Sequence, residues 1–167
     1  RIDGNTARKA DAGWQVVRPS SFARRITVNT PMQLSGPARH QPLMKTAADP
    51  QGEQVLGTMQ NCANGRTPWG TYLTCEENWS DIFVKKAPLN ALEKRYGISD
   101  SDESYRWNEV DERFSVDKTP NEPNRFGWVV EIDPYDPTST PRKHTALGRF
   151  KHEGAAVTLA ADNRVVV

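Results

Sequence analysis

The sequence predicts a mainly β protein of short antiparallel strands, long loops and one short helix. Three observations carry this. Runs of β-branched and aromatic residues recur along the chain, Gly, Pro, Asn and Asp interrupt them every ten residues or so, and a single segment has helical periodicity. A sandwich, a barrel and a propeller all fit this pattern, and the absence of an internal sequence repeat leaves the choice among them open.

The elements follow in order. Trp14-Gln15-Val16-Val17, Arg25-Ile26-Thr27-Val28 and Val55-Leu56-Gly57-Thr58-Met59 read as brief strands. Residues 61–66 read as a loop, with Asn64-Gly65 its tightest point. Residues 69–75 regain aromatic and β-branched character and read as a strand. A helix is predicted over 88–96: Pro88 suits the first turn, Leu89, Leu92 and Tyr96 share a face, and Gly97 ends it. Residues 100–117 are acidic and polar and read as a solvated excursion. Their opening resembles an EF-hand loop, but Tyr105 stands where that loop needs Gly and Asp111 where it needs Glu. Strands resume at Gly127-Trp128-Val129-Val130-Glu131-Ile132, at Ala155-Ala156-Val157-Thr158-Leu159 and at Arg164-Val165-Val166-Val167.

Composition narrows the function classes. A net charge of +1 offers no basic excess for nucleic acid. No apolar run approaches the roughly 18 residues of a membrane span. With 36% hydrophobic and 26% charged residues, 12 Pro and 11 Gly, the chain is polar and loop-rich. It begins at Arg1 without an initiator Met and stops in a β-branched run with no turn after it, so it reads as residues 1–167 of a single partial domain.

Chemistry concentrates in three places. Cys75-Glu76-Glu77, at the end of a predicted strand, sets a soft thiolate beside hard carboxylates and suits a transition metal. The competing reading is a half-buried Cys followed by two solvated Glu. Alternation also puts Cys75 and Glu76 on opposite faces of a regular strand, so both serve one metal only if the chain bends there. His152-Glu153 introduces a charge ahead of the small residues Gly154-Ala155-Ala156, where a cation is an obvious partner. Arg66 offers charge-assisted hydrogen bonds to a phosphate or carboxylate, or is simply a solvated loop residue. The second cysteine, Cys62, leaves three options open: one bridge to Cys75, a free thiol, or a metal ligand. No nucleotide-binding loop, nucleophile elbow or Cys-x-x-Cys pair is present.

Residues 61–78, through Thr67-Pro68-Trp69-Gly70-Thr71 and Thr74-Cys75-Glu76-Glu77, closely resemble the signature of PhoX-type alkaline phosphatases. Residues 148–157, around His152-Glu153-Gly154, resemble a second motif of that family, and residues 124–134 and the early Gly13-Trp14 and Arg24-Arg25 stretches are family-like too. The resemblance implies a fragment of a β-propeller, with further blades beyond residue 167. It implies an exported, periplasmic or secreted enzyme that hydrolyses small phosphomonoesters with a cluster of iron and calcium. Carried over, Cys75 is the iron thiolate, Glu76 a carboxylate ligand beside it, Glu153 a ligand toward calcium, Glu77 a weaker candidate, and Arg66 a phosphate-binding residue. The fragment alone is expected to be inactive. Two rival readings keep the fold: a non-catalytic calcium-binding propeller module, and a calcium-dependent propeller esterase or lactonase. On the phosphatase reading, Cys75 and Glu153 belong on one side of the sheet within about 10 Å, since two-metal sites already span about 3.5–4 Å between ions. A Glu153 that faces solvent counts against it.

Overall fold

The computed structural model describes residues 2–3, 6–101 and 105–167. The EF-hand-like opening lies partly outside them. Twelve short strands run in chain order: β1 (Ile2–Asp3), β2 (Thr6–Ala10), β3 (Gly13–Val17), β4 (Arg25–Ile26), β5 (Pro31–Ser35), β6 (Gln54–Leu56), β7 (Asn61–Arg66), β8 (Tyr72–Glu76), β9 (Val129–Ile132), β10 (Arg142–His144), β11 (Thr158–Leu159) and β12 (Val165–Val166). One α-helix, α1 (Ala91–Tyr96), and several single turns of 3-10 helix complete the described residues. The chain is mainly β, as the strand spacing predicts.

Six strands form the central sheet in the order β6-β5-β10-β9-β8-β7. Strands β7 to β10 make a four-stranded antiparallel meander, the arrangement of a propeller blade. β5 joins β10 in parallel, and β6 adds antiparallel to β5. The pairs β1–β4, β2–β3 and β11–β12 are separate two-stranded sheets.

The central sheet buries its two faces against unequal cores. On one face Met32, Leu34, Val55, Val130 and Ile132 meet Trp79, Phe83, Phe114 and Phe126. Phe83 is the hub: its ring centroid lies 5.5 Å from both Phe114 and Phe126 and 6.5 Å from Trp79, in the tilted and edge-on geometries aromatic pairs prefer. On the other face Leu73, Cys75 and Val129 meet Ala155, with Leu147 and Val157 at the rim. The alternation of β8 divides it between them: Leu73 and Cys75 face the small core, while Tyr72 packs against the large one.

Four expectations need correcting. Residues 61–66 form a strand, because pairing with β8 fixes their backbone although none of them has strand character. The helix starts at Ala91, three residues later than expected, where Asn90 and Glu93 close a capping box. Gly97 ends it in the left-handed conformation at φ 75°, as expected. Leu92 is 53% exposed; of the predicted helical face only Leu89 and Tyr96 reach the core. Residues 100–117 are not wholly solvated. Phe114 and Val116 are fully buried, and Val116 N–H bonds the Val84 carbonyl, so this excursion lines the large core.

Arg149 holds α1 onto that core. Its guanidinium stacks 4.2 Å from the Trp79 ring and 4.1 Å from Tyr96, the last residue of the helix, while donating to the Phe126 and Pro123 carbonyls at 2.9 and 2.7 Å. Two cation–π contacts and two charge-assisted bonds converge on one side chain. Arg149→Ala is expected to lower stability by about 3 kcal/mol, read as a lower denaturation midpoint in chemical unfolding. A midpoint shift equal to that of an exposed Arg→Ala control would show that the clamp does not act.

Candidate metal and phosphate site

Cys75 is fully buried on the small-core face, paired with Val129 in the neighbouring strand. Register sets Ser35, His144, Val129 and Cys75 in one row across the sheet. Beyond Cys75, β7 carries a bulge: Asn61 pairs with Glu76 and Asn64 with Thr74, so Cys62 and Ala63 together face Cys75. Burial pushes the Cys75 thiol up to about 11, and the neighbouring Cys62 and Glu76 charges add to this. Both cysteines are free thiols.

Glu76 is on the other face and is fully engaged. Its carboxylate accepts from Thr58 Oγ1 at 2.9 Å and Lys143 Nζ at 2.8 Å on one oxygen, and from the Gly127 and Trp128 amides at 2.9 and 3.0 Å on the other. Lys143 is itself fully buried, 3.8 Å from the Phe126 ring centroid, and also donates to the Arg125 carbonyl. Burial pushes its ammonium below the ordinary lysine value, against the pull of Glu76. Two amides, a hydroxyl and an ammonium leave no free lone pair aimed at a metal. Glu76, expected as a ligand beside Cys75, thus lies on the opposite face of β8 with its carboxylate taken up by these four donors.

The second motif crosses the hairpin at Cys75. His152 N–H donates to the Glu76 carbonyl at 3.1 Å and Ala63 N–H to the Glu153 carbonyl at 2.7 Å. Ala155 lies so close to Gly65 that a Cβ there would stand 1.9 Å from the Ala155 oxygen, which explains the glycine. The backbones of the two distant motifs therefore run side by side at β7 and the end of β8. His152 is buried, with Nε2 donating to the Gly148 carbonyl at 3.0 Å and its ring stacked on Phe150. The Glu153 side chain is exposed, near enough to Cys62 to help raise that thiol, after the larger effect of a Glu77 hydrogen bond. This is the solvent-facing outcome that counts against the carried-over ligand role of Glu153. Among the described residues no three His, Cys, Asp or Glu side chains converge on one point.

Arg66 is not brought to this place. It ends β7 opposite Tyr72, whose ring lies on the large-core side, and three strand residues (about 10 Å) separate that register from Cys75. Its side chain is exposed and makes no ion pair among the described residues.

The family model for alkaline phosphatase PhoX matches residues 4–167. The chain belongs to the PhoX family. It is also similar to Pseudomonas fluorescens PhoX in complex with vanadate, a transition state analogue, at 53% identity and a TM-score of 0.92 over 95% of the chain. The chain spans 28% of the length of that Pseudomonas protein. No curated protein matches it significantly. No helix among the described residues is long and apolar enough to cross a membrane.

This PhoX chain carries a second polar cluster that the sequence reading missed, further along the small-core face. Glu131 accepts from Trp69 Nε1 at 2.7 Å, Thr71 Oγ1 at 2.5 Å and His144 Nε2 at 2.7 Å; His144 Nδ1 lies 3.2 Å from Ser35 Oγ. Burial alone would raise the Glu131 carboxyl, but these donors outweigh it and hold it below the usual range. The cluster fixes the turn after β7 onto β9 and β10. A signal existed in the sequence, since Glu131 interrupts an apolar strand and an inward charge needs partners.

Proposed function

We propose that the intact protein is a metal-dependent phosphatase hydrolysing small phosphomonoesters, with iron and calcium as its metals, and that it works in the periplasm or outside the cell. The observation that carries the phosphatase reading is the 0.92 TM-score and 53% identity to a PhoX in complex with vanadate, a transition state analogue; the metals and the location follow from the family resemblance. Residues 1–167 are one partial domain of that enzyme, a propeller segment inactive by itself.

The donor set fits in part. Cys75 would supply the thiolate toward iron, and Glu153, which the second motif carries to the same strand pair, a carboxylate toward calcium. A soft thiolate with a hard carboxylate suits that mixed pair of metals. Glu76 does not fit as a ligand and instead positions Cys75, by tying the end of β8 to the Gly127 and Trp128 amides. When bound, the metals would offset charge on the phosphoryl oxygens and acidify an attacking water. The chain's own contribution is orientation. The small core of Leu73, Val129 and Ala155 keeps water from the inner side of Cys75, and the Cys75 proton must leave as a metal binds. Arg66, expected to bind phosphate, has no geometric support in that role. Arg66→Ala is expected to change stability by no more than about 0.5 kcal/mol and to leave KM for a phosphomonoester unchanged.

Metal analysis of the intact protein, coupled to hydrolysis of a chromogenic phosphomonoester, tests the reading. Iron and calcium with activity that chelation abolishes is the expected result. Calcium without iron, together with activity on acyl esters only, would replace it with a propeller esterase.

A further inference from the structure

The bulge in β7 gives the free cysteines a relation that the phosphatase reading does not use. Asn61↔Glu76 and Asn64↔Thr74 bracket it, so Cys62 and Ala63 together oppose Cys75 on the adjoining antiparallel strand. Regular opposed residues on either side of such a bulge have Cα atoms about 4.5–5.5 Å apart, and disulfides span roughly 4.4–6.8 Å, so the bulge puts Cys62 in the neighbourhood a bridge to Cys75 requires. The two thiols are close enough for the charge of Cys62 to raise Cys75. Their exposure is opposite: Cys62 is open to solvent and Cys75 is fully buried. An accessible thiol backed by a buried one is the arrangement of an attacking and a resolving cysteine.

We propose that Cys62 and Cys75 form a reversible disulfide in the metal-free protein, and that closing it withholds Cys75 from metal. The oxidant is a low-molecular-weight disulfide such as oxidised glutathione. The Cys62 thiolate attacks one glutathione sulfur, forming a mixed disulfide and expelling glutathione thiolate. The Cys75 thiolate then attacks the Cys62 sulfur, forming the protein disulfide and expelling the second glutathione. Two protein thiols are oxidised, one glutathione disulfide is reduced to two thiols, and the two protein protons pass to them. The withholding of metal rests on the assignment of Cys75 as a ligand; the disulfide itself does not.

The test uses the intact protein, stripped of metal and incubated with oxidised glutathione before iron is added. Peptide mapping without reduction should show a Cys62–Cys75 cross-link. Iron uptake should fall at least tenfold and return with dithiothreitol, whereas Cys62→Ser should form no cross-link and take up iron before and after oxidant. A stable glutathione adduct on Cys62 with Cys75 still free, or no reaction at either, would overturn the disulfide and leave the ligand assignment standing. A cross-linked protein that still takes up iron fully would overturn the withholding and the ligand assignment together.

Discussion

Replacing Lys143 with alanine should lower the stability of the protein by about 3–5 kcal/mol, because it leaves the Glu76 carboxylate buried and unpaired in the large core. Both side chains are wholly excluded from water, and their 2.8 Å bond is one corner of a network that also holds Thr58, the Arg125 carbonyl and the Gly127 and Trp128 amides. The damage should be cooperative, since β10 has no large apolar side chain of its own with which to stay in the sheet. A Lys143→Met, Glu76→Gln double variant removes both charges together and should recover a large part of the loss, since a neutral pair escapes the uncompensated desolvation. Denaturant midpoints of the wild type, both single variants and the double variant measure this. Losses that simply add would mean that the pair is not coupled and that the core tolerates either charge alone.

On the proposed phosphatase reading, Cys75→Ser in the intact protein should lower phosphomonoester hydrolysis by at least about 100-fold, with a parallel loss of bound iron. Cys75→Ala should do the same. The alanine variant separates chemistry from folding: it removes only a sulfur from the small core of Leu73, Val129 and Ala155 and places no hydroxyl there. Its thermal unfolding should stay close to that of the wild type while iron content falls. Equal loss of iron and of folded protein in both variants would make Cys75 a packing residue only.

The sequence was most legible where local chemistry and tertiary structure agree. Gly13–Val17 and Val129–Ile132 look like strands and are strands, and Gly97 ends the helix because the left-handed C-cap favours glycine. It was least legible in β7 and β10. Asn61–Arg66 and Arg142–His144 contain no apolar pattern, and their strand conformation is imposed by neighbours on both sides of β10 and by β8 along β7. The same blind spot hid the residues that matter to the site. The sequence analysis singles out neither Lys143 nor His144, yet Lys143 is the buried partner of Glu76 and the half-buried His144 is the partner of Glu131. The separation of Cys75 from Glu76 was visible in the period-2 alternation of a strand. The resemblance between motifs suggested a shared ligand role for both; the alternation held. The meeting of Cys75 with the Glu153 segment was not derivable from local sequence, because only the crossing of residues 152–155 over β7 creates it.

Metal-edge X-ray absorption of the intact, iron-loaded protein is the most direct test that Cys75 serves the metal. A sulfur shell at about 2.3 Å, the length of a metal–thiolate bond, is expected in the wild type and in Glu76→Gln, and should disappear in Cys75→Ser. A first shell of oxygen and nitrogen alone in an active, iron-containing wild type would contradict it.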